Sequence, residues 1–481
     1  MFGMHRLARS LSDRLPPETV STAPDDLAGR GRDLWSLALL RLARGEPGEP
    51  PAAVAFPTST EQVATVLAWA AETGTPVAPR GGGSGVCGAV AAGAGWVVLD
   101  LSRMDRILSL DAESRVVGVQ AGVRGDRLEA SLGEHGLTVG HYPQSIALST
   151  VGGWVAAASA GQASTGYGAI EDVLLGLTAV LAGGQVLRLR PTPRSAAGPD
   201  LRRLLVGSEG TLAVLTEAYL ACSPRPSGLR WEGFGFDTFP AALAGVREMF
   251  RTGAGMAVLR GYDGVDSALT FGALGPPDQS GSCVAIAGFA AGLPGLAERR
   301  RAARDAAGAA GGHDLGSGPG AHWWEHRNDA VELYRRIMGP ERLFGPGVVV
   351  DTMEVAGLWG GLPGLYRAVL AALGRHTETV GCHLSHAYPA GASLYFTFLV
   401  RGADDVDAER RYLAGWQDAA TGCLAAGGTI THHHGVGRLK AGFLPAELGE
   451  PGVQLLRRIK AAADPQWILN PGALLPDPPA R

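Results

Sequence analysis

The 481-residue chain is poor in several things that would place it quickly. It has five cysteines, Cys87, Cys222, Cys283, Cys382 and Cys423, none of them close to another. That spacing excludes a disulfide framework and a Cys-based zinc site. It leaves the thiols as small buried hydrophobes and suits a reducing cytoplasm. Charge of one sign is also missing. Lys and Arg total 42 against 46 Asp and Glu, a net charge of −4. No basic field calls for nucleic acid or an anionic membrane. No run reaches the ~18 apolar residues of a membrane span. The stretch Val86–Leu99 is shorter and broken by glycine. The first residues, M-F-G-M-H-R-L-A-R-S-L, lack the uninterrupted apolar region of a secretory leader. The last four, P-P-A-R, carry no peroxisomal tripeptide.

Glycine is what the chain has in excess: 71 of 481 residues, about twice the usual ~7%. The glycines lie among apolar runs, so disorder does not explain them. At ~100–200 residues per domain, two or three domains are expected. The densest small-residue stretch is Pro143–Asp172, P-Q-S-I-A-L-S-T-V-G-G-W-V-A-A-A-S-A-G-Q-A-S-T-G-Y-G-A-I-E-D. Small residues let a backbone come close to a flat partner, and Ser145, Ser149, Thr150, Ser159 and Ser164 add hydroxyls along it. A tightly packed helix start beside a sheet would look the same.

Residues 1–49 read as an Arg- and Pro-rich N-terminal extension with a short helix near Leu34–Leu42. Thr58 and Glu61 then form a capping box for a helix that Gly74 ends. A strand over Thr75–Ala78 runs into P-R-G-G-G-S-G-V-C-G, residues 79–88. The G-x-G-x-x-G at Gly83, Gly85 and Gly88 needs a helix next to be a dinucleotide fingerprint. A strand, Trp96–Leu101, follows instead. A phosphate loop of another type remains, its N–H groups turned to a pyrophosphate, with Arg80 adding charge. A helix over Asp126–His135 and a hairpin, Val173–Ala182 with Gln185–Leu189, complete this half. Residues 207–211, G-S-E-G-T, are a second small-residue segment, and S-P-R-P-S-G at 223–228 marks a boundary. From 229 the strand and helix pattern predicts an antiparallel sheet with helices on one face, and the middle, Gly311–Gly347, reads as irregular. The chain is therefore α+β. Residues 50–225 form one domain and 226–481 a second, with about 428–475 packing back on the first.

Four stretches, P-R-G-G-G-S-G (79–85), P-Q-S-I-A-L-S-T-V-G-G-W (143–154), G-S-E-G-T-L-A-V-L-T-E (207–217) and N-P-G (470–472), occur in the order and spacing of one family. They resemble the flavoproteins of the vanillyl-alcohol oxidase and p-cresol methylhydroxylase type, over nearly the whole chain from about residue 50. The resemblance implies an FAD-binding domain and a cap domain with the substrate site. It places FAD on Pro79, Arg80, Gly81, Gly82, Gly83, Ser84 and Gly85. It adds Pro143, Gln144, Ser145, Ser149, Thr150, Gly153, Ala157 and Ser159, then Glu209, Gly210 and Val214. Many relatives attach FAD through a His in the first loop. None stands between Pro79 and Gly88, so the FAD is expected to be non-covalent.

The second half narrows the resemblance. H-H-H-G-V-G (432–437), G-A-S-L-Y-F-T-F (391–398), L-R-G-Y-D (259–263) and S-A-A-G-P-D-L (195–201) look like the alkyldihydroxyacetonephosphate synthases. These exchange an acyl chain for a fatty alcohol without net redox change. The family's base maps to His433, flanked by His432 and His434. Its acid/base Tyr maps to Tyr395 and its flavin-side Arg to Arg260. Its substrate-anion Arg maps to Arg336, with Arg342 as rival. A neighbouring branch, the FAD-linked 2-hydroxy-acid dehydrogenases, holds a metal with a Glu and two His. Here His433 and Tyr395 stand in place of the Glu and one His, and His386 keeps the other. No metal is therefore expected, though His386, His433 and His434 remain a candidate set.

Without the family, the residues read more openly. A His triplet is rarely a core feature and suits proton transfer near neutral pH, a solvated loop or a metal patch. In an extended chain His432 and His434 would share one side and His433 face the other. Tyr395 in an alternating strand is as much a core aromatic as an acid. Arg260 sits beside a buried anion or at a strand end. Trp323, Trp324 and Trp467 read as packing. The expected protein is a cytoplasmic FAD-dependent oxidoreductase acting at an oxygen-bearing carbon of a small anionic substrate, with no nucleic-acid partner and with a homodimer left open. The alternatives are redox-neutral ether-lipid alkyl transfer and 2-hydroxy-acid dehydrogenation.

Overall fold

The structure is a computed structural model and describes residues 2–274 and 283–476. Two sheets build the first half. The smaller runs in the order Val20–Ser21, Ala53–Ala55, Val97–Asp100, Val77–Arg80. Its last three strands are parallel, and Ala53, Val54, Ala55, Val77, Val97, Val98 and Leu99 are wholly buried. Continuous apolar runs are what a sheet covered on both faces requires. The larger sheet is antiparallel, in the order Ile107–Asp111, Val116–Gln120, Val214–Ala221, Leu174–Val180, Val186–Leu189. The predicted hairpin is its edge pair.

The predicted capping box lies one residue away from where it forms. Ser59 is the cap: its hydroxyl accepts from Gln62 N–H at 3.3 Å. Gln62 Oε1 in turn accepts from Thr58 N–H at 2.8 Å. The helix spans Thr60–Thr73 and ends on Gly74 in the left-handed region. The strand after it is Val77–Arg80, two residues beyond the expected start, so Arg80 ends a strand and the glycine loop leaves directly from it.

The second half holds a seven-stranded antiparallel sheet. Its order is His313–Gly316, Leu229–Phe236, Cys283–Ala290, Val258–Tyr262, Thr379–Ala387, Gly391–Arg401, Val348–Leu358. Helices Phe239–Arg251, Leu296–Ala309, Leu362–Gly374 and Asp405–Ala425 form with one face the largest apolar core. The other face carries Trp231, Val258, Tyr262, Val284 and Ile286, packed with Phe271 and Trp323. Those two come from helices Gly264–Phe271 and Gly318–His326, so the sheet has helices on both faces rather than one. The middle segment is not irregular either. It holds a strand and the helices Gly318–His326 and Asp329–Met338. Helix Asp329–Met338 buries Ile337 and Met338 against the sheet core.

The first 49 residues are not an appendage. Val20–Ser21 pairs with Val54–Ala55, Leu37 and Leu40 join the core of the second half, and Trp35 Nε1 donates to Tyr412 Oη at 3.1 Å. At the other end the chain returns to the first sheet: Val77 N–H donates to Ile468 O and Asn470 N–H to Val77 O, both at 2.8 Å. Among the described residues no helix is long and apolar enough to cross a membrane.

Candidate active site

A cavity of about 340 Å³ opens between the two halves, within the ~300–1,000 Å³ usual for ligand sites. Every predicted cofactor position lines it: Pro79, Arg80, Gly81 to Gly85, Pro143 to Ser145, Ser149, Thr150, Gly153, Ala157, Ser159, Glu209, Gly210 and Val214. Arg260, Tyr395, His433 and His434 line it from the second half, and His386, Ser385, Thr352 and Tyr334 join them.

The glycine loop is shaped by what it presses against. A Cβ on Gly81 would meet Thr150 Oγ1 at 2.3 Å, and one on Gly82 would meet Leu148 O at 1.9 Å. Gly83 has φ +66°, and a Cβ there would meet the Arg80 guanidinium at 2.2 Å. The loop and the 148–153 segment therefore press together where Gly81 and Gly82 leave no room for a Cβ. Gly82→Ala is expected to part these segments and lower the flavin retained after gel filtration, with the fold intact by circular dichroism. Full retention would show that the contact does not shape the site. Arg80 is not a free cation. Its Nη1 pairs with Asp100 at 3.0 Å, which also holds Arg30 at 3.1 Å, and Arg80 bonds the carbonyls of Gly81 and Gly82. It fixes the loop.

Glu209 adopts φ +50° and spends its carboxylate on the histidine loop, accepting from Val436 N–H at 2.5 Å and Gly437 N–H at 2.8 Å. Asn470 donates to Ala89 O and Glu209 O. The three segments that meet at the cavity floor are thus tied to one another. Asp33, from the N-terminal region, also lines the cavity. Burial pushes its carboxyl up to about 7, against hydrogen bonds from the Trp35 and Val90 N–H groups.

The histidine loop does not run extended. Buried Glu354, opposite Tyr395 in the sheet, collects the N–H groups of His432, His433 and His434 at 3.2, 3.3 and 2.8 Å. It also accepts from Thr431 Oγ1 at 2.7 Å and pairs with buried Lys440 at 3.0 Å. Three successive N–H groups on one carboxylate curl the backbone into a nest, which breaks the expected alternation. His433 and His434 line the cavity; His432 turns to Tyr388, with Nε2 2.8 Å from the Tyr388 hydroxyl. His434 Nδ1 lies 3.1 Å from Glu354. Glu354 and Lys440 escaped the sequence reading, although an acid inside V-V-V-D-T-M-E-V-A was a visible signal of a buried charge.

Burial, then the neighbouring imidazoles, hold His433 well below its usual value, and burial takes His432 to about 4. Both are neutral at neutral pH. Tyr395 stacks on His383 at 4.8 Å between ring centroids and stands 5.9 Å from the His433 ring. His383 Nδ1 pairs with Asp266 at 2.5 Å. A bulge between Leu384 and His386 puts both Ser385 and His386 on the cavity. Arg260 is buried, 4.8 Å over Trp323. Among the described residues no carboxylate lies within 4.0 Å of it. Arg336 is elsewhere: it pairs with Glu341 at 2.9 Å on the surface, because its helix turns Val331 and Tyr334 to the cavity instead. Its rival Arg342 is locked to Asp405.

Nitrogens of His386, His432 and His433 lie within 4.8 Å of one another. This trio, not the expected His386, His433 and His434, is the one the fold brings together. Most of its nitrogens are already bonded, His386 to Ser385 Oγ and Gly161 O, His432 to Tyr388 and His433. Among the described residues, five buried polar atoms of cavity-lining residues lack a hydrogen-bond partner: Arg80 Nε, Gln162 Oε1, Arg260 Nε, His434 Nδ1 and Asn470 Oδ1. Small-residue walls with unspent donors and acceptors fit a phosphate-bearing flavin dinucleotide.

Comparison with known proteins agrees. Residues 51–190 match the family described as FAD binding domain, and residues 225–474 match FAD linked oxidases, C-terminal domain. The chain is 30% identical over 479 residues to an alkyldihydroxyacetonephosphate synthase of Trypanosoma brucei brucei, covering 94% of this chain and 76% of the relative. It is 31% identical over 450 residues to an uncharacterized FAD-linked oxidoreductase of Escherichia coli (strain K12), covering 89% of each. The structure of p-cresol methylhydroxylase superposes with a TM-score of 0.77 at 17% identity, covering 99% of this chain and 98% of that one. The chain therefore belongs to the FAD-linked oxidase family, shares the fold of p-cresol methylhydroxylase, and its cofactor is FAD.

Proposed function

We propose that the protein is an FAD-dependent oxidoreductase acting at an oxygen-bearing carbon of a small anionic substrate. The observation that carries this is the pairing of a neutral, half-buried imidazole, His433, with a buried guanidinium, Arg260, whose Nε has no hydrogen-bond partner, in one cavity. A buried guanidinium without a carboxylate favours an anionic ligand. His433 accepts a proton from the substrate at Nε2, the nitrogen left when Nδ1 bonds His432. Tyr395 and His434 border the same space and orient the oxygen. Bound non-covalently, FAD would supply the hydride acceptor. Asp33, Leu34 and Tyr334 line one side of the cavity.

The second reading is alkyl transfer on acyl-dihydroxyacetone phosphate. It is favoured by the resemblance to the synthases and by the presence of both His433 and Tyr395 at the cavity. Anaerobic addition of 2-hydroxy acids and hydroxyketone phosphates separates the two. Bleaching of the flavin by one compound supports net oxidation. Fatty-acid release from acyl-dihydroxyacetone phosphate without net reduction supports the transferase and would overturn the first reading. Arg260→Ala is expected to raise KM for the responding anion at least ~10-fold, the loss of one charge-assisted pair. Arg336→Ala should leave KM unchanged. Equal effects of the two would move the anion site away from Arg260.

A further inference from the structure

The histidine loop has a feature that a lone base would not need. His433 Nδ1 lies 2.8 Å from His432 Nδ1. Two imidazole nitrogens at that distance must share one proton, one donating and the other accepting. His432 Nε2 lies 2.8 Å from the Tyr388 hydroxyl. Tyr388 is half-buried and is followed by exposed Pro389 and Ala390. The charges of Glu171 and exposed Asp172 act on its hydroxyl. His386 holds the two rings in place. It stacks on His432 at 5.0 Å and meets His433 edge-on at 5.2 Å, and its own nitrogens are fixed by Ser385 Oγ and Gly161 O.

We infer that His433, His432 and Tyr388 form a proton relay from the cavity to the surface, in which His432 and Tyr388 set which nitrogen of His433 carries the proton. The inference rests on His433 being the base of the proposed reaction. At the start His433 carries its proton on Nδ1 and donates to His432 Nδ1, while His432 Nε2–H donates to the Tyr388 oxygen. A substrate proton then bonds to His433 Nε2. The His433 Nδ1 proton passes to His432 Nδ1, the His432 Nε2 proton passes to Tyr388, and the Tyr388 O–H proton leaves to water. One proton enters and one leaves, and no electron moves. The relay ends in the opposite tautomer, with Tyr388 donating to His432 and His432 to His433. Reverse passage returns a proton to the cavity, so the same His433 serves as acid in a later step. The neutrality of both rings, a result of burial, keeps a vacant nitrogen in the chain.

The test is nitrogen NMR on the FAD-loaded protein labelled with 15N-histidine, compared with Tyr388→Phe and His432→Asn. The expected result in the unaltered protein is a hydrogen-bonded proton coupled to nitrogens of two histidines, lost in His432→Asn. Tyr388→Phe should shift the two His433 nitrogens in opposite directions as its tautomer balance moves, although residue 388 has no hydrogen bond to His433. Unchanged His433 resonances in Tyr388→Phe would overturn the relay and leave Tyr388 a packing residue. Stoichiometric divalent metal in the purified protein, with no proton between the two histidines, would overturn it in favour of a metal site. The readout does not need turnover. A flavin that no substrate bleaches would therefore defeat the proposed reaction while leaving this coupling to stand or fall by itself.

Discussion

Replacing His433 with alanine is expected to abolish turnover while FAD stays bound. General-base catalysis contributes ~10²–10⁴-fold, and the neighbours offer no ready substitute. His434 is held against Glu354, 3.1 Å away. His432 faces Tyr388 rather than the cavity. The expected flavin contacts lie in 79–85, 143–159 and 209–215, outside the histidine loop, so flavin retention should match the unaltered protein. The measurement is flavin content after gel filtration together with the rate of anaerobic flavin bleaching by the responding substrate. Activity within a few-fold of the unaltered enzyme would remove His433 as the base. Loss of flavin along with activity would make it a binding residue instead.

Glu354→Ala should cost both stability and activity. One buried carboxylate holds three consecutive backbone N–H groups, the Thr431 hydroxyl and the buried Lys440 ammonium. Its removal strands a buried cation, which costs ~3–5 kcal/mol in comparable cases. The loop that presents His433 and His434 also loses its anchor. Thermal unfolding should move down by several degrees, and activity should fall nearly as far as in His433→Ala. The double replacement Glu354→Gln with Lys440→Met is expected to recover much of the stability, because no charge is then left buried. It should not recover full activity, because an amide oxygen is a weaker acceptor for three N–H groups. An unchanged melting temperature in Glu354→Ala would show that the pair is not structural.

Glu354 also sets a pH dependence. Burial opposes its charge, yet His434 and Lys440 hold its carboxyl well below the usual range. A carboxyl depressed on folding adds stability that is fully present above its unfolded value of ~4.3. That stability is lost as pH falls through the lower folded value. Acid unfolding should therefore be shallower below pH ~4 in Glu354→Gln than in the unaltered protein.

The parts of this site that could be read from the sequence are those where the backbone itself is the functional surface. Gly81, Gly82 and Gly83 are glycine because Thr150, Leu148 and Arg80 leave no room for a Cβ. That requirement shows directly in residue type and in order along the chain. Tyr395 and Arg260 were legible only through the resemblance to the synthases, since an aromatic in a strand reads equally as core and Arg260 lies in a strand buried throughout. The bulge before His386 was not legible, since it depends on pairing between two strands.

What failed depended on partners far away in sequence. The alternation assumed for His432, His433 and His434 gave way to a carboxylate 78 to 80 residues earlier. Arg336 missed the cavity because the helix phase is set by Ile337 and Met338 seeking the sheet core, which turns the guanidinium to Glu341. The first 49 residues look like a polar extension by composition. They become part of the structure through a few anchors, Leu37, Leu40 and Trp35, that meet partners in the last two-thirds of the chain. Local pattern carries none of these.

The central claim is that the cavity between the two halves holds FAD beside the histidine loop. The most direct measurement is the visible spectrum of the purified protein, taken before and after incubation with FAD and gel filtration. A retained flavin spectrum, released free into solution by denaturation and weakened by Gly82→Ala, is the predicted result. A colourless protein after incubation with FAD would contradict the account.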